Sequence, residues 1–211
     1  MSYVLPGGAS SSVVGAADYL GLRQMVAQWL NRTDLTSRIP DFVRLAEEEH
    51  RRDVRVQAME QVVVGALQGG VLNCPPDFLE ARLLTVEGKP YTYSRLQSFR
   101  SLEQCGIVRR VFTHVGQSIE VLGGDDGQYV LDYWASFAPL VDDTDTNWLL
   151  QNAYDLYLWK ACEKGCVWLR DADGALAYRQ LYDDALSKLN QAEYDKRYSG
   201  SELLMLSPGV V

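Results

Sequence analysis

Histidine is scarce in this chain: only His50 and His114 occur among 211 residues. That removes most arrangements in which an imidazole acts as general base or metal ligand. Four cysteines, Cys74, Cys105, Cys162 and Cys166, are scattered with no Cys-x-x-Cys spacing. Neither a disulfide framework nor a zinc ribbon is indicated, and reduced thiols are expected. Basic residues number 20 against 28 acidic ones, for a formal charge of −8. A general nucleic-acid binder needs clustered Lys and Arg to displace phosphate counterions, so that class is disfavoured. No apolar run approaches the roughly 20 residues of a membrane span. The longest, such as Gln61-Val-Val-Val-Gly-Ala-Leu67, are strand-sized. The opening Met1-Ser-Tyr-Val-Leu-Pro has neither the charged start nor the apolar core of a secretory signal and reads as a loose leader.

What is present suits a folded domain. With 47% hydrophobic and 23% charged residues the chain is neither disordered nor fibrous, and its length supports a core. From Asp18 the residues Leu22, Met25, Val26, Trp29 and Leu30 recur at helical spacing, with Asp18 as cap and Asn31-Arg32 as stop. Pro40 then opens a charge-dense second helix whose inner face is read as Phe42, Leu45, Ala46 and Glu49. The period next drops to 2. Val54, Val56 and Ala58, the run Val62–Val64, and Leu83–Val86 read as strands, with Gly69-Gly70 as a hairpin turn. Ser94 with Gln97 reads as a capping box for a short helix ending near Gln104. Two more hairpins are read: Val111 to Val115 turns at Gly116-Gln117 into Ile119–Leu122, and Gly123–Gly127 turns into Tyr129–Phe137. Thr146 caps a turn leading into a helix through Trp168, and a last helix runs from about Asp171 to Tyr198.

The expected class is therefore α+β, mainly helical. An N-terminal helix pair and two long C-terminal helices pack with a central antiparallel β-sheet of hairpins. The expected organisation is a leader over 1–17, one domain over 18–198 (helices 18–53, sheet region 54–137, helices 146–198) and an extended tail over 199–211. That tail carries the apolar run Leu203, Leu204, Met205 and Leu206.

Reactive motifs are few. Gly88-Lys89 is followed by Pro90, so no phosphate loop forms, and no nucleophile elbow, His-Glu-x-x-His pair or dinucleotide fingerprint occurs. Cys162 and Cys166 share one helix face at i and i+4, which is half of a zinc shell but reads better as packed thiols. Pairing Cys105 with His114 as nucleophile and base is formally allowed without local support. Between Gly123 and Asp145 stand six acids and no base: Asp125, Asp126, Asp132, Asp142, Asp143 and Asp145. Asp143-x-Asp145-x-Asn147 begins like a calcium loop, but Trp148 replaces the required glycine. An acidic edge for solvent or a basic partner is the preferred reading, with a magnesium-dependent hydrolase as the enzymatic alternative.

Several segments together resemble the head-to-tail adaptor (connector) proteins of tailed, double-stranded-DNA bacteriophages, especially short-tailed ones. They are Val26-Ala-Gln-Trp-Leu-Asn-Arg-Thr-Asp-Leu35, Ile39-Pro-Asp-Phe-Val-Arg-Leu-Ala-Glu47, Arg52-Asp-Val-Arg55, Cys74-Pro-Pro-Asp-Phe-Leu-Glu80, Thr146-Asn-Trp-Leu-Leu150 and Asp155-Leu-Tyr-Leu158. Two departures are His50, where an apolar residue is expected, and Asn152-Ala-Tyr154, where a proline is expected before Asp155. The resemblance implies a structural virion protein with no catalytic residue and no cofactor or metal. It implies a ring, commonly twelve-fold, that joins the portal protein to a tail tube or nozzle protein and continues the channel for genomic DNA. DNA passes without sequence-specific binding, and no membrane is involved. Its expected place is the neck of the virion, after assembly in the host cytoplasm. A tail-completion or stopper subunit is the nearest alternative. Within this reading Leu203, Leu204, Met205 and Leu206 are expected to contact a partner. Asp125, Asp126, Asp142, Asp143 and Asp145 are expected at a subunit contact or the channel edge.

Overall fold

The computed structural model describes residues 18–123 and 126–198, which form two compact units. The chain leaves the first unit at Arg52, builds the second from Asp53 to Ala138, and returns to the first at Pro139.

Among the described residues the first unit is helical: α1 (Tyr19–Trp29), α2 (Ile39–Asp53, its last residue already in the second unit), α4 (Trp148–Asn152), α5 (Tyr154–Leu169) and α6 (Ala172–Tyr198). Asp18 caps α1 as expected, its carboxylate accepting the Gly21 N–H at 2.8 Å. The inner face of α2 is turned from the expected one. Ile39, Phe42, Val43, Ala46 and His50 are buried, whereas Leu45 is 50% exposed. The cap of α4 is Asn147 rather than Thr146, accepting from the Leu150 N–H at 2.9 Å. The core comes from α1 (Leu22, Val26), α2, α4 (Leu149, Leu150), α5 (Leu156, Tyr157, Leu158, Ala161, Cys162) and α6 (Tyr182). α1 approaches α5 closely at Gly165, where a Cβ would lie 2.6 Å from the Leu30 side chain. No helix among the described residues is long and apolar enough to cross a membrane.

The second unit holds β1 (Glu60–Ala66), β2 (Val71–Asn73), β3 (Phe78–Val86), β4 (Lys89–Tyr93), α3 (Leu96–Gln104), β5 (Val111–Val115), β6 (Ser118–Leu122) and β7 (Gln128–Ala135). The strands form one sheet in the order β1-β7-β3-β4-β5-β6-β2. The class is α+β, but the sheet is mixed rather than antiparallel. β4 and β5 pair in parallel at Thr92–Val111 and Tyr93–Phe112, because α3 carries the chain back between them. Two local expectations also fail. Val54 and Val56 are buried but precede a 3₁₀ turn, Gln57–Met59, instead of forming a strand. Ser94 does not cap α3: the N-cap position is Arg95, with no side-chain bond to the helix. Gly69 and Gly70 do form the expected turn, at φ 59° and 71° and closed by an antiparallel Gln68–Val71 bridge, and the strands they join, β1 and β2, stand at opposite ends of the sheet.

That last fact fixes the shape of the sheet. Residues 67–70 between β1 and β2 bridge at most about 17 Å, whereas six spacings of a flat sheet would be about 29 Å. The sheet must therefore curl. Its concave side holds Leu72, Leu84, Val86, Tyr91, Phe112, Ile119, Leu131 and Tyr133, all buried. Along β1, Gly65 stands opposite Tyr129, whose ring crosses the position a Cβ would take.

Candidate functional site

Within the helical unit, charge is concentrated where α2, α5 and α6 meet. Lys160 and Glu163 are both buried and bonded at 2.8 Å, and Lys160 also pairs with Glu49 at 2.8 Å. Glu163 receives two bonds from the Arg179 guanidinium, at 2.8 and 3.2 Å, and Lys164 pairs with Glu49. Burial works to raise both carboxyls, but the ammonium and guanidinium donors outweigh it. Glu163 is held below its ordinary value, and Glu49 is held at about 2 by Lys160 and Lys164. Every member is partnered, so the cluster ties three helices together.

His50 lies beside it, between Tyr157 (ring centroids 4.7 Å apart, edge-on) and Tyr182 (5.8 Å, stacked). Neither ring nitrogen has a hydrogen-bond partner of good geometry among the described residues. Burial pushes its pKa down to about 4; the Lys160 charge adds to this, while the Leu156 backbone and Glu49 oppose it. Tyr157 accepts from the Asn147 amide at 2.9 Å, and Glu47 accepts the Leu140 N–H at 2.8 Å. Burial raises Glu47 above its ordinary value.

The expected acidic edge falls into two places in the chain. Asp125 lies outside the described residues, as do Leu203, Leu204, Met205 and Leu206. Asp126, in the sheet unit, accepts the Gly69 and Gly70 N–H groups at 2.9 and 3.1 Å, so it holds the link between β1 and β2. Asp142, Asp143 and Asp145 belong to the helical unit. Asp145 accepts the Val141 and Asp142 N–H groups at 2.8 and 2.7 Å, and those bonds lower its pKa. Asp143 pairs with Arg23, and its carbonyl and that of Asp145 accept the Leu20 and Tyr19 N–H groups at 3.0 and 2.9 Å. The Asp143 carboxylate and the two carbonyls fasten the loop before α4 to the start of α1, while the Asp145 carboxylate closes the loop on itself.

Among the described residues no three His, Cys, Asp or Glu side chains are grouped to hold a metal ion. All four thiols are free. Cys162 and Cys166 are buried in α5, and burial raises Cys162 to about 12. His114 sits against the Phe78 ring at 5.3 Å, and Cys105 closes α3.

Apolar groups, by contrast, stand open. On the convex side of the sheet Val62 and Val64 are 61% and 53% exposed, and Leu83 is 44% exposed. Val62 and Leu83 flank Asp132 across β7. A family model described as SU10 adaptor protein matches residues 17–204, nearly the whole chain. The protein belongs to this family of phage adaptors. No curated protein matches the chain. An adaptor is a structural protein of the phage particle at its head-to-tail junction, and the match takes in both units, every described element included. In this adaptor the buried charges and the aspartates of 126 and 142–145 fix its own architecture. The backbone partners of these acids are not legible in the sequence, and the exposed valines are signalled there only by the uncharged run over 61–67.

Proposed function

We propose that this adaptor is the subunit of a closed ring, of the commonly twelve-fold kind, seated at the DNA-exit vertex of a short-tailed phage capsid. One face of the ring meets the portal protein, and the other receives the tail tube or nozzle protein. Its bore continues the channel through which genomic DNA leaves. Residues 18–198 act as the adaptor domain, and the segment 199–211 reaches a partner through Leu203, Leu204, Met205 and Leu206. The observation that carries this reading is the family match over 17–204.

Two physical features support it. A cyclic assembly needs two different, complementary surfaces on each subunit. The exposed Val62, Val64 and Leu83 offer apolar area that a solitary subunit would leave in water. A net charge of −8 suits a channel wall, since like charge keeps phosphate from adhering. Asp125, Asp126, Asp142, Asp143 and Asp145 are the proposed contact or channel edge. Asp126 and Asp143 are exposed despite their internal bonds, and Asp142 is exposed as well.

Electron cryomicroscopy of the purified particle tests this. The expected result is a ring of this chain between portal and tail, with tail-less, DNA-filled heads when its gene is deleted. Particles that lack the chain altogether would refute the reading.

A further inference from the structure

The chain carries a basic stretch at odds with its overall charge. Residues 89–110 hold Lys89, Arg95, Arg100, Arg109 and Arg110 against one acid, Glu103. Arg100 is engaged, bonding Glu103 at 3.0 Å and Glu120 at 2.8 Å. Arg95, Arg109 and Arg110 are exposed and form no ion pair among the described residues. The same region exposes large apolar side chains: Tyr93 at 59%, Ile107 at 50% and Val108 at 83%. Between β4 and α3 runs an open groove of about 560 Å³, lined by Tyr93, Leu102, Cys105, Ile107 and Arg109, with serines and Gln97 of α3 along its rim. Its apolar floor and cationic edge ask for a ligand that is acidic at one end and apolar along the rest. A phosphate backbone would satisfy the arginines but leave Tyr93, Ile107 and Val108 in water.

We propose that this groove receives residues 202–206 of a neighbouring copy. Glu202-Leu-Leu-Met-Leu206 is one carboxylate followed by four apolar side chains, the complement of what the groove presents. Glu202 meets Arg109 at the mouth, and the leucines and methionine cover Tyr93 and Ile107. Charge thus sets the direction of entry, and apolar burial supplies the hold. Because each copy offers one groove and one tail, the contact is head-to-tail and propagates around a ring. The inference rests on the ring reading for the presence of the neighbour.

Cys105 provides the probe, since it is exposed in the groove while Cys162 and Cys166 are buried. Full-length chain carrying Leu204→Cys, as an equal mixture of nitrogen-15-labelled and unlabelled protein, is treated with a short bismaleimide. The expected product is a mixed-isotope link between positions 105 and 204, forming at least about tenfold faster than with Ser187→Cys on the exposed side of α6. Adding Arg109→Glu slows that link about tenfold, and adding Glu202→Arg to it restores the rate. A link confined within single chains, a rate equal to the Ser187→Cys control, or indifference to Arg109→Glu overturns the proposal. So does loss of double-stranded DNA binding in Arg109→Glu with the linking rate unchanged, which would make the groove a phosphate site. If rings are seen in particles while linking fails, the groove assignment falls alone. If linking succeeds but particles hold no ring of this chain, the ring reading falls instead.

Discussion

Burying an imidazole between two phenol rings deprives it of its proton. His50 is 3% exposed, its neighbours on α5 and α6 are Tyr157 and Tyr182, and the nearby Lys160 is itself a cation lying 3.8 Å over the Tyr182 ring. The folded His50 titrates at about 4 rather than 6.5. Between those values the unfolded chain binds a proton that the folded chain does not, so stability present above pH 6.5 is lost as the pH falls towards 4, by up to about 3 kcal/mol. His50→Phe keeps the ring and removes the titration. Urea unfolding at pH 7 and pH 4.5 should show wild type weakened far more than the variant. Equal losses would place the acid sensitivity elsewhere, in carboxylates such as Glu163 whose folded values are depressed. Position 50 stood out in the sequence as a histidine where an apolar residue was expected, and the structure shows it behaving as one. Its partners were not legible, because Tyr157 and Tyr182 lie more than a hundred residues away in the chain.

Elements whose patterns are periodic were legible in the sequence, and elements decided by distant pairing were not. The 3.6 period placed α1, α2, α5 and α6, and the turn at Gly116-Gln117 placed the β5–β6 hairpin. At Gly69-Gly70 the local turn forms as well, at positive φ and with a Gln68–Val71 bridge, but the flanking strands pair no further. What separates β1 from β2 is competition: β7 pairs with β1 over seven positions, while β2 pairs with β6 over three. Nothing local reports which partner wins. The parallel β4–β5 pairing is hidden for the same reason. At the end of α5, Arg170 adopts φ 61° and ψ 28°, a left-handed conformation that costs a side chain with a Cβ roughly 1 kcal/mol. Arg170→Gly should raise stability by about 0.5–1 kcal/mol in chemical denaturation, with the α5–α6 turn unchanged. No gain would mean that the side chain of Arg170 offsets its backbone strain.

For the whole molecule, the question is which surface an assembly must cover. A strand at a sheet edge normally carries a lysine, a proline or a bulge that stops another chain from pairing with it. Residues 61–67 of the β1 edge have none of these; they read Gln-Val-Val-Val-Gly-Ala-Leu, with Val62 61% and Val64 53% exposed. β1 is bonded to β7 on one side, and among the described residues no backbone bond from Gln61 to Ala66 runs the other way. At one end Glu60 pairs with Arg82. The proposed ring gives such an edge a neighbour to pair with. Val62→Lys with Val64→Lys adds the missing protection without touching the concave core. The purified variant should therefore unfold within about 1 kcal/mol of wild type, since both side chains already face water. Incorporation into particles, measured by complementing a gene-deleted phage and quantifying the chain by mass spectrometry, should fall at least tenfold. Wild-type incorporation would show that the valines face solvent in the virion and that assembly uses other surfaces.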